Sequence, residues 1–181
     1  MHRRILSILV VLPACGCQST PRRPAAVATT QPSDLALQPA RMDDVLKAVV
    51  DPPVGWRAEP LKASDKHKHQ IWISPSGNTA YGVIYFTMPW PVGQDLALIG
   101  FLNQMKRTEG QATLVEKEPD DQLPGIRFVA EGGLYTVRTN LIIDGFQGWA
   151  FYAGTVRGKP VDNAELTTAE AARERTHVQE D

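Results

Sequence analysis

Cysteine is missing from the chain beyond residue 17. Only Cys15 and Cys17 carry a thiol among 181 residues, so everything after them folds without a disulfide and without a cysteine metal ligand. An oxidising compartment is tolerated but not demanded. Net charge is equally scarce: nineteen Lys and Arg stand against twenty Asp and Glu, a formal balance of -1. With no excess of cations there is no field to collect polyanions, and a broad nucleic-acid surface is excluded. The N-terminal apolar run, Ile5 to Leu12 broken by Ser7, is far shorter than the roughly 20 residues that cross a bilayer. What is present is the make-up of a globular protein, 43% hydrophobic and 22% charged, with length for one ordinary domain.

The two cysteines sit where processing acts. Arg3 and Arg4 precede the apolar run, and the small residues Ala14 and Gly16 follow it, as in a secretory signal. Leu12-Pro13-Ala14-Cys15 resembles a bacterial lipobox, which implies a diacylglyceryl group on the Cys15 thiol and cleavage that leaves this cysteine first. Pro13 departs from the usual pattern, and Ala14-Cys15-Gly16-Cys17 offers Cys17 as the alternative. An ordinary secretory signal with incidental cysteines is the competing reading. Residues 18–40 hold four prolines with Ala, Ser and Thr and almost no large side chain, too little to offset ordering entropy, and read as a disordered tether. The expected layout is a lipoprotein signal and lipobox over 1–17, the tether over 18–40 and a single domain over 41–178. The expected place is the bacterial cell envelope, lipid-anchored to a membrane with the domain in the periplasm or otherwise outside the cytoplasm.

Within the domain, Met42, Val45, Leu46, Val49 and Val50 predict a short helix stopped by Asp51-Pro52-Pro53. Trp56 opens a strand after Gly55. Ile71 and Ile73 on one face, Trp72 on the other, then Ser76-Gly77-Asn78 and Thr79-Ala80-Tyr81-Gly82-Val83-Ile84-Tyr85-Phe86 predict a hairpin with a well buried second arm. Pro89-Trp90-Pro91 ends that arm. Leu98, Phe101, Leu102 and Met105 recur at helical spacing over 95–109, Gly110 closes the segment, and Asp95 is its expected cap. Two further strands follow over ATLVEKEP and GIRFVAEGG, then a hairpin about Asp144-Gly145. Asn163 to His177 is rich in Ala and Glu and predicts a weakly docked helix.

Hairpin, long amphipathic helix, antiparallel strands and terminal helix, with Gly55-Trp56 opening the first strand and an aromatic strand ending at Pro89, make a layout that resembles the PsbP-like superfamily. The resemblance covers most of residues 50–175. It implies an α+β fold, an antiparallel β-sheet flanked by helices in an α/β/α sandwich. Members of that superfamily, among them extrinsic photosystem proteins and a fungal nuclear import factor, act mostly as non-enzymatic binding or assembly factors. Taken with the lipobox-like signal, the resemblance implies an envelope lipoprotein with a non-catalytic protein-binding or assembly role and no cofactor, its partners a membrane lipid, through the modified cysteine, and an envelope protein.

Candidate site residues divide by chemistry. Aromatic side chains suit an interface because they combine apolar area with polar edges; Trp90, Trp72 and Tyr85 are the partner-surface candidates, core packing under the helix is the simpler role for such residues, and Trp90, between two prolines, is the one expected to be exposed. Arg127 and Arg138 have the fork geometry that grips a carboxylate, while strand alternation pointing both into water is the simpler expectation. His67 and His69, two apart on a strand, share a face and offer metal-ligand nitrogens, with Asp65 as a third group; flanking Lys66 and Lys68 make a solvated edge the simpler expectation. Ser74 and Ser76, with a histidine and Asp144, raise a hydrolase reading, but Ser-Pro-Ser-Gly-Asn is turn chemistry without a nucleophile elbow. Glu116, Glu118, Asp120 and Asp121 form an acidic cluster without calcium-loop spacing. The alternative function is a small-ligand or metal-dependent enzyme of the cell envelope built on His67 and His69.

Overall fold

The computed structural model of the chain describes residues 37–120 and 125–178. Residues 41–50 form a two-stranded hairpin, β1 (Arg41–Asp43) and β2 (Ala48–Val50), where a helix was expected. The Asp43 carboxylate accepts the amides of Val45 and Leu46, both at 3.0 Å, and so offers the backbone a turn in place of a helix. Lys47 completes the reversal at φ 52°. Leu46, Ala48 and Val50 are buried, a period of two where the sequence also fitted a period near four.

The main sheet has eight antiparallel strands: β3 (Arg57–Ala58), β4 (Lys62–Ser64), β5 (His67–Ile73), β6 (Thr79–Thr87), β7 (Ala112–Asp120), β8 (Gly125–Gly132), β9 (Tyr135–Asp144) and β10 (Gln147–Val156). Their order is β3-β5-β6-β10-β9-β8-β7, with β4 also paired to β5. The expected β5–β6 hairpin is present, and Trp72 lies opposite Tyr81 across it. At the β9–β10 turn the two loop residues are Gly145 and Phe146, one place later than expected, with Asp144 paired to Gln147. Only the first has positive φ, 54°, which fits a tight hairpin with glycine first.

Helices α1 (Gln94–Glu109) and α2 (Asn163–Arg175) flank the sheet. Leu98, Phe101, Leu102 and Met105 of α1 pack on Ile126, Phe128, Ala130, Leu141 and Ala150, each large side chain contributing about 1.5–3 kcal/mol. Gly110 closes α1 in the left-handed conformation, as expected. The expected Asp95 cap is not made: Gly93 is the N-cap, and Asp95 instead pairs with Lys117 at 2.5 Å. Two residues past the N-cap and within the first turn, the carboxylate reaches toward β7 rather than back to the helix amides.

α2 is not weakly docked. Ala169 and Ala172 are completely buried in a core with Trp72, Tyr81, Val83, Tyr85, Ile142, Trp149 and Phe151. Alanine supplies little apolar area but lets the helix approach the sheet closely. Asp162 caps the helix through the Ala164 amide at 2.8 Å. At its other end the Thr176 hydroxyl donates to the Ala172 carbonyl and meets the Tyr81 hydroxyl at 2.5 Å, while His177 bridges to Val49. The fold is thus an α+β sandwich of helix, sheet and helix. Among the described residues no helix is long and apolar enough to cross a membrane.

Candidate interaction surface

The two helices cover opposite faces and different parts of the sheet. α1 lies over β7, β8 and β9, whereas α2 lies over β6, β10 and part of β9. On the α2 face the rows across the sheet therefore change character. One runs Trp72, Tyr81, Ala153, Arg138, Val129, Glu116 and the next Val83, Phe151, Asn140, Arg127, Glu118. Each begins in the aromatic core and ends in charges.

Those charges line a cleft of about 190 Å³ bounded by Glu116, Glu118, Arg127, Arg138, Arg173 and Glu174. Arg138 pairs with Glu170. Glu174 receives Arg173 on one oxygen and Arg127 on the other, the latter at 3.3 Å. Burial lowers the pKa of the Arg173 guanidinium, against the raising effect of Glu174 and Glu170, and its Nε has no hydrogen-bond partner among the described residues. A carboxylate bridging two guanidiniums is geometry that a second acidic group can imitate. The cleft is charged, half-open and built from side chains already held apart by the sheet register.

On the opposite face α1 reaches only the near side of β10 and β6, through Ala150, Ile84 and Phe86, and the rest, over β5 and the far parts of β6 and β10, is closed by its own aromatics. Tyr152 lies across Gly82, where an added Cβ would stand 2.3 Å from its ring, and Phe86 lies across Gly148 in the same manner at 2.4 Å. The Tyr152 hydroxyl meets His69 Nε2 at 2.7 Å. His69 is only 4% exposed; burial first, then the charges of His67 and Lys62, push its pKa down to about 3. Burial likewise lowers His67 and raises the Tyr152 phenol. The two imidazoles do share a face, with centroids 6.0 Å apart, but the solvated edge expected for them is wrong at His69. Its ring nitrogen is occupied by a tyrosine from a strand 83 positions away, which leaves it poorly placed as an open ligand. No three His, Cys, Asp or Glu side chains converge for a metal among the described residues.

Trp90 is 63% exposed. Trp72 and Tyr85, also candidates for a partner surface, take the simpler role of core packing: Trp72 stacks on Tyr81 at 5.0 Å, and Tyr85 packs against Trp149 at 5.5 Å. Strand alternation turns both toward α2 and the β1–β2 hairpin. Arg127 and Arg138 reach the cleft, in ion pairs rather than in open water. Ser74 and Ser76 hold the β5–β6 turn, with Ser74 Oγ accepting the Thr79 amide and Ser76 bonded to Glu165. They lie at the opposite end of β5 from His67 and His69, so no triad forms. Glu116 and Glu118 project from β7 rather than from a loop; Asp121, Cys15 and Cys17 lie outside the described residues. Arg173, Glu170 and Glu174 were missed because nothing in an Ala- and Glu-rich helix marks which turn meets a distant strand.

An antiparallel sheet held between helices, with one charged open face and no assembled catalytic group among the described residues, defines a class by shape. The chain has the PsbP-like fold. It is similar to cyanobacterial PsbP (CyanoP) from Synechocystis sp. PCC 6803, whose solution structure aligns with TM-score 0.58 and 14% identity over 84% of this chain and 99% of that one. A crystal structure from Bacteroides thetaiotaomicron VPI-5482 aligns at TM-score 0.39 and 12% identity, over 78% of this chain and 48% of that one. No protein-family model and no curated protein matches the chain.

Proposed function

We propose that the chain is an envelope lipoprotein whose folded domain binds a protein partner without catalysis. Residues 1–17 supply the signal and a diacylglyceryl cysteine, at Cys15 or at the alternative Cys17, and residues 18–40 the tether; the domain works outside the cytoplasm. The observation that carries the binding reading is the open cleft on the α2 face, where Arg127, Arg138 and Arg173 meet Glu116, Glu118 and Glu174. Mixed charge fixed by a rigid sheet gives specificity through complementary placement. The likeness in fold to cyanobacterial PsbP (CyanoP) is consistent with such a role. Tethering raises the local concentration of the domain, so even a modest affinity keeps the complex formed.

Crosslinking mass spectrometry on membranes tests this. The intact chain and an Arg127→Glu/Arg138→Glu variant are compared. Capture of one defined envelope protein through residues of the cleft, falling at least about tenfold in the variant, which corresponds to roughly 1.4 kcal/mol, is the expected result. Equal capture by both, or no defined partner, overturns the reading.

A further inference from the structure

The end of the sheet where β6 stops and β9 turns into β10 carries three apolar tips. Thr87 pairs with Gln147 and the Met88 amide donates to the Phe146 carbonyl at 2.7 Å, which sets the Pro89-Trp90-Pro91 loop beside the hairpin turn. Trp90 is 63% and Phe146 56% exposed. The β1–β2 turn reaches the same end, since the Trp149 indole donates to the Leu46 carbonyl at 3.0 Å and the Lys47 ammonium stands 5.4 Å above the Tyr85 ring. Its Val45 is 41% exposed. We propose that this end is a lipid-docking tip that seats the domain on the membrane surface, an inference that rests on the lipoprotein reading above.

The backbone favours lipid over protein as the occupant. Hydrocarbon offers no hydrogen bonds, so a loop that enters it must bring few unbonded amides. Pro89 and Pro91 have none, and Thr87 and Met88 give theirs to the carbonyls of Lys66 and Phe146. A tryptophan on such a loop has the apolar body and polar edge of residues that sit at headgroup depth. Lys47 and Lys68 stand over the Tyr85 ring and the Lys66 carbonyl accepts the Thr87 amide, while Asp43 and Asp44 precede Val45, Asp65 precedes Lys66 and Asp144 pairs with Gln147 at the hairpin turn. These charges offset one another, and contact is carried by aromatic area.

Chain length permits the contact. Leu37, the first described residue, packs on the core that holds Tyr81. From Tyr81 to Thr87 along β6 is about 20 Å. The stretch from Cys17 to Leu37 spans at most about 70 Å. A lipidated cysteine in the bilayer and a seated tip are therefore compatible.

The test uses the full, lipid-modified chain in phosphatidylethanolamine and phosphatidylglycerol vesicles whose acyl chains are brominated. Of the other three tryptophans Trp72 and Trp149 are in the core and Trp56 packs against it, so tryptophan emission quenched by bromine and largely lost in Trp90→Phe is the expected result. Val45→Glu/Phe146→Glu, at two exposed positions, is expected to remove the same quenching. Equal quenching in wild type and Trp90→Phe, or none, overturns the docking tip. The anchor is judged separately: Cys15→Ala/Cys17→Ala leaves the membrane fraction if the lipoprotein reading holds, and stays there if that reading fails.

Discussion

The same sheet presents two unlike surfaces where its strands lie clear of the helices. On the β5–β6–β10 side the uncovered face is sealed by aromatic side chains laid across glycines, and its one buried histidine is neutral and bonded to a tyrosine. On the β7–β8–β9 side the uncovered face is charged and open to a cleft. A polar group can be kept on a bare sheet face either by enclosing it with one internal partner or by leaving it half-wet among several charges. The first stabilises through burial and tolerates little change; the second contributes little to stability and remains free to exchange partners.

If the sealed side is rigid in this sense, Gly82→Ala has the largest effect. The new Cβ displaces Tyr152 and breaks its bond to His69, and we expect a loss of about 2–4 kcal/mol in urea unfolding from overpacking plus an unsatisfied buried imidazole. A loss under about 1 kcal/mol would mean that the aromatic lid swings aside without cost.

Acid sharpens the comparison next. His69 has a folded pKa near 3 against an ordinary value of 6.5, so the unfolded chain takes up its proton first. The contribution is fully present above about pH 6.5 and fades as pH falls toward 3, amounting to about 2 kcal/mol of lost stability at pH 5. Unfolding midpoints near neutrality and near pH 5 should diverge for wild type and much less for His69→Gln. A variant that loses as much stability in acid as wild type would place the sensitivity elsewhere.

The smallest effect belongs to the charged side. Arg138→Ala removes a partly exposed ion pair with Glu170 and is expected to cost less than about 1 kcal/mol, measured by thermal unfolding. A cost of several kcal/mol would make the cleft a structural network instead of an available surface.

Local periodicity made the β5–β6 hairpin, α1 and the β9–β10 pair legible, because Tyr81, Val83 and Tyr85 alternate and Leu98, Phe101, Leu102 and Met105 follow a helical period. It failed at residues 41–50, where Leu46 and Val50 fit a period of two as well as one near four and the Asp43 side chain decides. It also undervalued α2, because the fit of Ala169 and Ala172 depends on the surface they meet. In the site, Arg127 and Arg138 could be placed on strands, but the glutamates that meet them come from a helix more than thirty positions on. His69 was misjudged for the same reason: Gly82 makes room for Tyr152, and only the strand pairing brings the three together.

The strand order has a consequence for how the chain assembles. β10 is made last among the strands yet lies between β6 and β9, so the early hairpin and the later meander share no sheet until it arrives. Until Val156 has emerged, the growing polypeptide carries two unmatched strand edges of the kind that capture other chains. Distant pairing of this sort also slows folding. Protection of the nascent protein is needed longest by β6, whose inner edge waits for the final strand.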